Sequence, residues 1–181
     1  METQKNAAFS YAEVGMSLSG SPLDGYNIDH NRIRMGSGQD DFQAAINAVK
    51  SWKMFDMPWV ELCWPDTQIE VGSTVAILVR QFGFWSLNAA RIVYVIEEKG
   101  DVDRFGFAYG TLTEHAERGE ERFSVEFHRD TREVWYDLFA FSKPNHFLAR
   151  LGYPLSRMLQ RRFAEDSKSA MLRAVNGQNR L

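Results

Sequence analysis

One cysteine, five prolines and four histidines in 181 residues put several kinds of protein out of reach. The lone Cys63 cannot close an intrachain disulfide, so no covalent staple holds the fold and a reducing compartment suits it. Between Leu62 and Trp64 it reads as a small interior residue, not a nucleophile. Charge of neither sign dominates, and a formal net charge of -3 offers no electrostatic footprint for nucleic acid. No run approaches the roughly 20 apolar residues of a membrane-spanning helix. The richest stretch, Val75 to Ile96, is broken by Arg80, Gln81, Asn88 and Arg91. The opening METQKNAAFSYAEVG has no apolar core of a secretory signal, so the expected location is cytoplasmic. Internal repeats and low-complexity segments are missing too.

What is present is a core. Hydrophobic residues make up 44% of the chain and aromatics 13%, which excludes a disordered chain and suits a single folded domain. Residues 1–25, punctuated by SLSGSPLDG, read as an arm or loop, 26–176 as one domain and 177–181 as a tail. The chain is organised around its last third. Leu148, Leu151, Leu155, Leu159 and Phe163 recur at helical steps, and Ala170, Met171 and Ala174 continue the stripe. Arg150, Arg157, Arg161, Glu165 and Lys168 take the opposite, solvated side. Gly152 and Pro154 mark a kink or restart of that helix.

Ahead of this helix the chain reads as strands. Tyr26 to Met35 is a first strand. A helix follows, with Ser37 and Asp40 as a capping-box-like start and Phe42, Ala45, Ile46 and Val49 as its stripe. The Gly36-Ser37-Gly38 turn lacks the Lys and third glycine of a phosphate loop, and Asp40 and Asp41 would repel an anion there. Trp59 to Trp64, Ile69 to Phe82, Asn88 to Glu97, Phe105 to Leu112, Glu121 to His128 and Glu133 to Ala140 read as six more strands. An Asp130-Thr131 hairpin loop pairs Phe127 with Val134, Val125 with Tyr136 and Phe123 with Leu138. A slip of one residue would bury Asp137, so that register is constrained. Strand, helix, about six strands and a long helix make an α+β fold, an antiparallel meander with helices at its ends.

Orienting each strand by its charged face points Tyr94, Tyr109, Tyr136 and Glu121 inward, among Phe105, Phe107, Phe123, Val125 and Leu138. An apolar hollow with a few polar tips is the usual make-up of a small-molecule site. Each tyrosine also has a reading as core filler whose hydroxyl finds a backbone partner. Glu121, enclosed by aromatics, would have a raised pKa and serve as an acid or base, whereas at the rim it would pair with an arginine. His146 is the second acid/base candidate, with an equally good role at the helix start beside Asn145 as N-cap. A metal site is not expected. Glu120 and His128 share a face but lie roughly 26 Å apart along a strand, and no zinc-binding spacing occurs. Ser142, in FSKP, lacks the glycines of a nucleophile elbow. In HAERGEE, Gly119 permits a positive φ.

The runs YAEVG, GSGQDDF, WVELCWPDTQIEVGSTVAILVR, HAERGEERF and FSKPNHFLARLGYP together resemble the DUF1990 or UPF0548 family of uncharacterised bacterial and plant proteins. The resemblance spans about Tyr11 to Val175; where the family has FSRP, this chain has Phe141-Ser142-Lys143-Pro144. It implies no settled activity. The fold it implies is the helix grip of the START and Bet v 1-like (SRPBCC) superfamily, an antiparallel sheet curled around a C-terminal helix and an apolar cavity. Three functions are then in play. The first is a binding protein for an apolar or aromatic small molecule, without cofactor or metal. The second is a cyclase- or hydrolase-like enzyme using Glu121 or His146. The third is an interaction module using the Arg157/Arg161 face or the N-terminal arm.

Overall fold

A computed structural model of the chain describes residues 7–21, 23–81, 83–113, 117–144 and 153–178. In chain order the elements are β1 (Asn27–Ser37), α1 (Gln39–Lys50), β2 (Val60–Leu62), β3 (Thr74–Gln81), β4 (Phe84–Glu98), β5 (Val102–Thr111), β6 (Glu117–His128), β7 (Glu133–Pro144) and α2 (Tyr153–Gln178). One 3-10 turn, Met16–Leu18, precedes β1, and another, Lys53–Phe55, follows α1. The seven strands form one antiparallel sheet in the order β1-β7-β6-β5-β4-β3-β2, curled into a half-barrel. Strands consecutive in sequence are neighbours from β2 to β7, as an antiparallel meander requires, and β1 closes the row on the far side of β7. The first strand is therefore an edge.

The hairpin register is the one the alternation demanded: Phe127 opposes Val134, Val125 opposes Tyr136 and Phe123 opposes Leu138. The loop joining β6 and β7 runs over residues 129–132 and turns with Arg132 at φ 61°, so it is longer than a two-residue turn. Two other local expectations fail. Gly38, not Ser37, is the N-cap of α1, and the side chain of Asp41 reaches back to accept from the Ser37 N–H at 2.7 Å. A carboxylate in the first turn meets an orphan donor there, so the acidic start is useful without a serine cap. In β4 the register shifts between Ile92 and Tyr94, which sends Ile92 inward and Tyr94 to the outer face.

The inner face of the sheet carries the main core. Phe107, Phe123, Val125, Tyr136 and Leu138 pack there under Phe42, Ala45 and Val49 of α1 and Met171 and Val175 of α2. The irregular segment between α1 and β2 fills the gap with Trp52, Met54, Phe55 and Trp59. Pro154 sits in the first turn of α2, where its missing N–H leaves no helical hydrogen bond unmade. Behind the sheet, Phe139 and Phe141 of β7 form a small second cluster with Tyr11, backed by Phe9 and Tyr26. Cys63, expected in the interior, is half-buried. Among the described residues, no helix is long and apolar enough to cross a membrane.

Candidate functional site

The pairing sorts the inner face into rows. Tyr109, Glu121, Ala140 and Asp29 stand side by side across β5, β6, β7 and β1. The next row is Phe107, Phe123, Leu138 and Asn31, and the one beyond it Phe105, Val125, Tyr136 and Ile33. The aromatic members of these rows are sealed, while Leu138 and Asn31 still reach the cavity. Trp52 packs edge-on against Phe107 at 5.0 Å, and Phe55 lies 5.5 Å from Phe123, ring centre to ring centre. Above the polar row the chain stays open. The small Ala140 stands between two carboxylates, and α2 passes over the row without filling it. The result is a cavity of about 440 Å³. That volume lies within the usual range for small-molecule sites, roughly 300–1,000 Å³.

Four groups of residues wall this cavity. Tyr109, Glu121, Ala140 and Asp29 form its floor; Ile77 and Val79 of β3 form one side. Leu155, Leu159 and Phe163 of α2 form the roof, with Phe55 and Trp59 at the inner end. Ser86 of the β3–β4 hairpin and Leu155 are exposed yet line it, so it opens between that hairpin and the start of α2. The roof is fastened on both flanks. Arg157 grips Asp29 of β1 through both guanidinium nitrogens, at 2.5 and 2.6 Å. Ser156 donates to Glu117 of β6, and Gln160 to Ser142 of β7 at 3.0 Å. Arg157 is thus no member of a solvated helix face. A bidentate, half-buried pair of this kind fixes geometry more firmly than an exposed one.

Within the cavity Tyr109 Oη donates to Glu121 Oε2 at 2.6 Å. Burial pushes the Glu121 carboxyl up to about 7; the tyrosine's hydrogen bond pulls the other way and Asp29 adds to the rise. Burial and then the Glu121 charge hold the Tyr109 hydroxyl well above the ordinary tyrosine range. Burial also raises Glu117. Among the described residues Glu121 has no arginine partner, unlike a rim carboxylate; Arg122 points the other way, to Asp137 at 2.9 Å and to the Ser17 carbonyl.

The other sequence candidates separate. Phe107 and Phe123 are fully buried beneath the cavity and do not line it. Tyr136 is equally buried, its hydroxyl 2.9 Å from Ser167 Oγ of α2, which is the core-filler reading. Tyr94 is corrected outright: the β4 bulge turns it outward, where its hydroxyl meets Ser17 Oγ at 2.6 Å and burial lifts it to about 12. His146 and Asn145 lie outside the described residues. Phe55, Trp59, Phe163 and Asp29 were missed as cavity residues: Phe55 sits in an irregular segment that has no period to read, and Trp59, read as the start of a strand, stands just ahead of β2.

The N-terminal arm also gains a role. Glu120, on the outer face and 2% exposed, accepts from Tyr11 Oη at 2.7 Å, Gly15 N at 2.8 Å, Ser17 N at 3.1 Å and Ser17 Oγ. Its neighbour across the strands is Gly110, and a Cβ there would strike the Tyr11 hydroxyl. One buried carboxylate therefore ties residues 11–17 to the sheet. Tyr11→Phe is expected to cost about 1–3 kcal/mol in urea unfolding by leaving Glu120 short of a donor. It should also speed amide exchange over residues 9–18. An unchanged midpoint and unchanged exchange would show the arm to be held by its apolar contacts.

A curled antiparallel sheet closed over by a long C-terminal helix, with a cavity between them, is the helix-grip fold, the START and Bet v 1-like architecture. The chain belongs to the family described as Domain of unknown function (DUF1990), which it matches over residues 10–170. It is 43% identical over 159 residues to a UPF0548 protein of Dictyostelium discoideum, covering 83% of this chain and 73% of that one. A UPF0548 protein of Arabidopsis thaliana is 40% identical over 157 residues, covering 84% and 75%. Among solved structures, human STARD10 superposes with a TM-score of 0.53 at 7% identity, covering 91% of this chain and 80% of its own. A point mutant of Thalictrum norcoclaurine synthase in complex with a transition-state analogue gives 0.52 at 9%, covering 88% and 99%. The Zhui aromatase/cyclase of Streptomyces sp. R1128 gives 0.50 at 14%, covering 84% and 93%. At these identities the likeness is one of fold.

Proposed function

We propose that this chain is a small-molecule binding protein whose ligand, an apolar or aromatic body with one polar end, occupies the cavity between the sheet and α2. The observation that carries this reading is the cavity itself, about 440 Å³ with aliphatic and aromatic walls and a Glu121–Tyr109 pair on its floor. Apolar walls supply affinity through buried area, and the few polar groups fix orientation. Tyr109 and Glu121 would touch the ligand, while Phe107, Phe123 and Tyr136 stiffen the floor from below. The first turns of α2, fastened by Arg157 and Ser156, form the wall that a ligand must pass.

Native mass spectrometry of the purified protein, with an organic extract of the same sample, tests this first. A co-purifying molecule in 1:1 ratio is expected. Where the protein emerges free, an environment-sensitive apolar dye should bind it once and be excluded by Ala140→Phe, which fills the cavity floor. Equal dye binding by both proteins would remove the reading.

A second reading is favoured by one observation: a carboxyl near 7 beside a tyrosine hydroxyl is poised to exchange a proton at neutral pH. In this reading the same cavity hosts a cyclase- or hydrolase-like reaction with Glu121 as acid/base and Tyr109 orienting the substrate. Glu121→Gln should then abolish turnover of any substrate found by screening while leaving its binding within a few-fold. Turnover that survives the substitution would remove Glu121 from the chemistry.

A further inference from the structure

Accepting the cavity as a ligand site, its charge pattern narrows what the ligand is. Asp29, Glu117 and Glu121 all line it, with Glu120 at its border, and among the described residues no lysine, arginine or histidine does. Three of these four acids are met from outside the cavity, Glu117 by the Ser156 hydroxyl and the charge of Arg157. Arg157 holds Asp29, and the arm's donors surround Glu120. Glu121 differs. Its bond is to a neutral tyrosine hydroxyl, and among the described residues it has no ion pair. Among the described residues the titratable groups around it are Tyr109 from β5, Tyr136 from β7 and Asp29 from β1, with Glu117 of its own strand also on the cavity lining and Arg157 of α2 held on Asp29.

We propose that the ligand is a hydrophobic amine, bound with its ammonium group against Glu121 and its apolar body against Phe55, Trp59 and Phe163. An ammonium taken from water into an apolar enclosure requires a counter-charge and hydrogen-bond acceptors, and Glu121 supplies both. A carboxylate or phosphate ligand would meet Asp29, Glu117 and Glu121 with no described cation on the lining to answer it. The same geometry couples binding to a proton. A carboxyl kept largely protonated by burial must ionise to pair with an ammonium, so the complex releases that proton to solvent.

Three probes of one shape test this: 4-phenylbutylamine, 4-phenylbutan-1-ol and 4-phenylbutanoate, titrated calorimetrically into the full chain at pH 6.5. Running the amine in two buffers of different ionisation enthalpy counts protons released. The amine is expected to bind roughly ten- to a hundredfold tighter than the alcohol, with the butanoate weakest. Amine binding should release protons in the wild type and none in Glu121→Gln, where the preference over the alcohol collapses to within a few-fold. Alcohol or butanoate binding as tight as the amine, still blocked by Ala140→Phe, would overturn the amine proposal and leave the cavity reading standing. Amine binding unaffected by both Ala140→Phe and Glu121→Gln would place the amine elsewhere and overturn it. Failure of all three probes at millimolar concentration, in protein that also carries no co-purified molecule, would end both readings together.

Discussion

Phe123→Ala is expected to lower the free energy of unfolding by about 3–5 kcal/mol, the ordinary cost of truncating a fully buried aromatic side chain. Phe123 is 0% exposed and stands at the centre of the aromatic stack. Its ring lies 5.4 Å from both Phe107 and Tyr109, 5.5 Å from Phe55 and 6.4 Å from Phe163. Those neighbours belong to β5, to the irregular segment after α1 and to α2, so no single element can collapse into the space without disturbing the others. Rigid surroundings push the loss toward the upper end of the range. The comparison is Leu159→Ala, a half-buried residue that only lines the cavity, where the expected cost is well under half as large. Urea denaturation of both variants decides the matter. Equal losses would mean that the cavity is closed in solution and Leu159 belongs to the core.

That contrast separates what the sequence made legible from what it hid. The register of β6 on β7 was readable because Phe123, Val125 and Phe127 alternate strictly. Asp137 does take the outer face but is buried there, 3% exposed and paired with Arg122, Arg32 and His30, so avoidance of burial is not what fixes the register. Tyr94 was unreadable for the converse reason. A bulge in the run Ile92-Val93-Tyr94 carries no glycine to announce it, and one extra residue moves everything beyond it to the other face. Helical periodicity found the stripe of α2 but knew nothing of Asp29, 128 positions earlier, so Arg157 read as a solvated charge. The arm had a signal that went unread: Gly106, Ala108 and Gly110 are small on one side of β5 because chain packs closely there. At Gly110 the neighbour is Tyr11, and at Gly106 it is the backbone of β6.

Glu121 carries the second large effect, as a dependence of stability on pH. In the unfolded chain its carboxyl titrates near the usual 4.5, and in the folded protein burial moves it to about 7. The folded state therefore binds this proton more tightly, and the associated stability is fully present below pH 4.5. It is lost as the pH rises through 7, because an ionised Glu121 must then stay inside an apolar enclosure. A displacement of this size corresponds to about 3 to 4 kcal/mol over the whole titration, of which about 2 to 3 kcal/mol falls between about pH 5 and pH 8. Glu117, also raised by burial, adds a slope of the same sign in the wild type, but it is common to any Glu121 variant and cancels in the difference. Glu121→Gln keeps an acceptor for Tyr109 and carries no charge at any pH. Its unfolding free energy relative to wild type should accordingly climb by about 2 to 3 kcal/mol between pH 5 and pH 8. Chemical denaturation of both proteins at the two pH values gives that difference directly. A gap that stays constant would mean the carboxyl titrates alike in folded and unfolded chains. Glu121 would then be open to water, and neither the proton-coupled amine nor the acid/base reading would keep its physical basis.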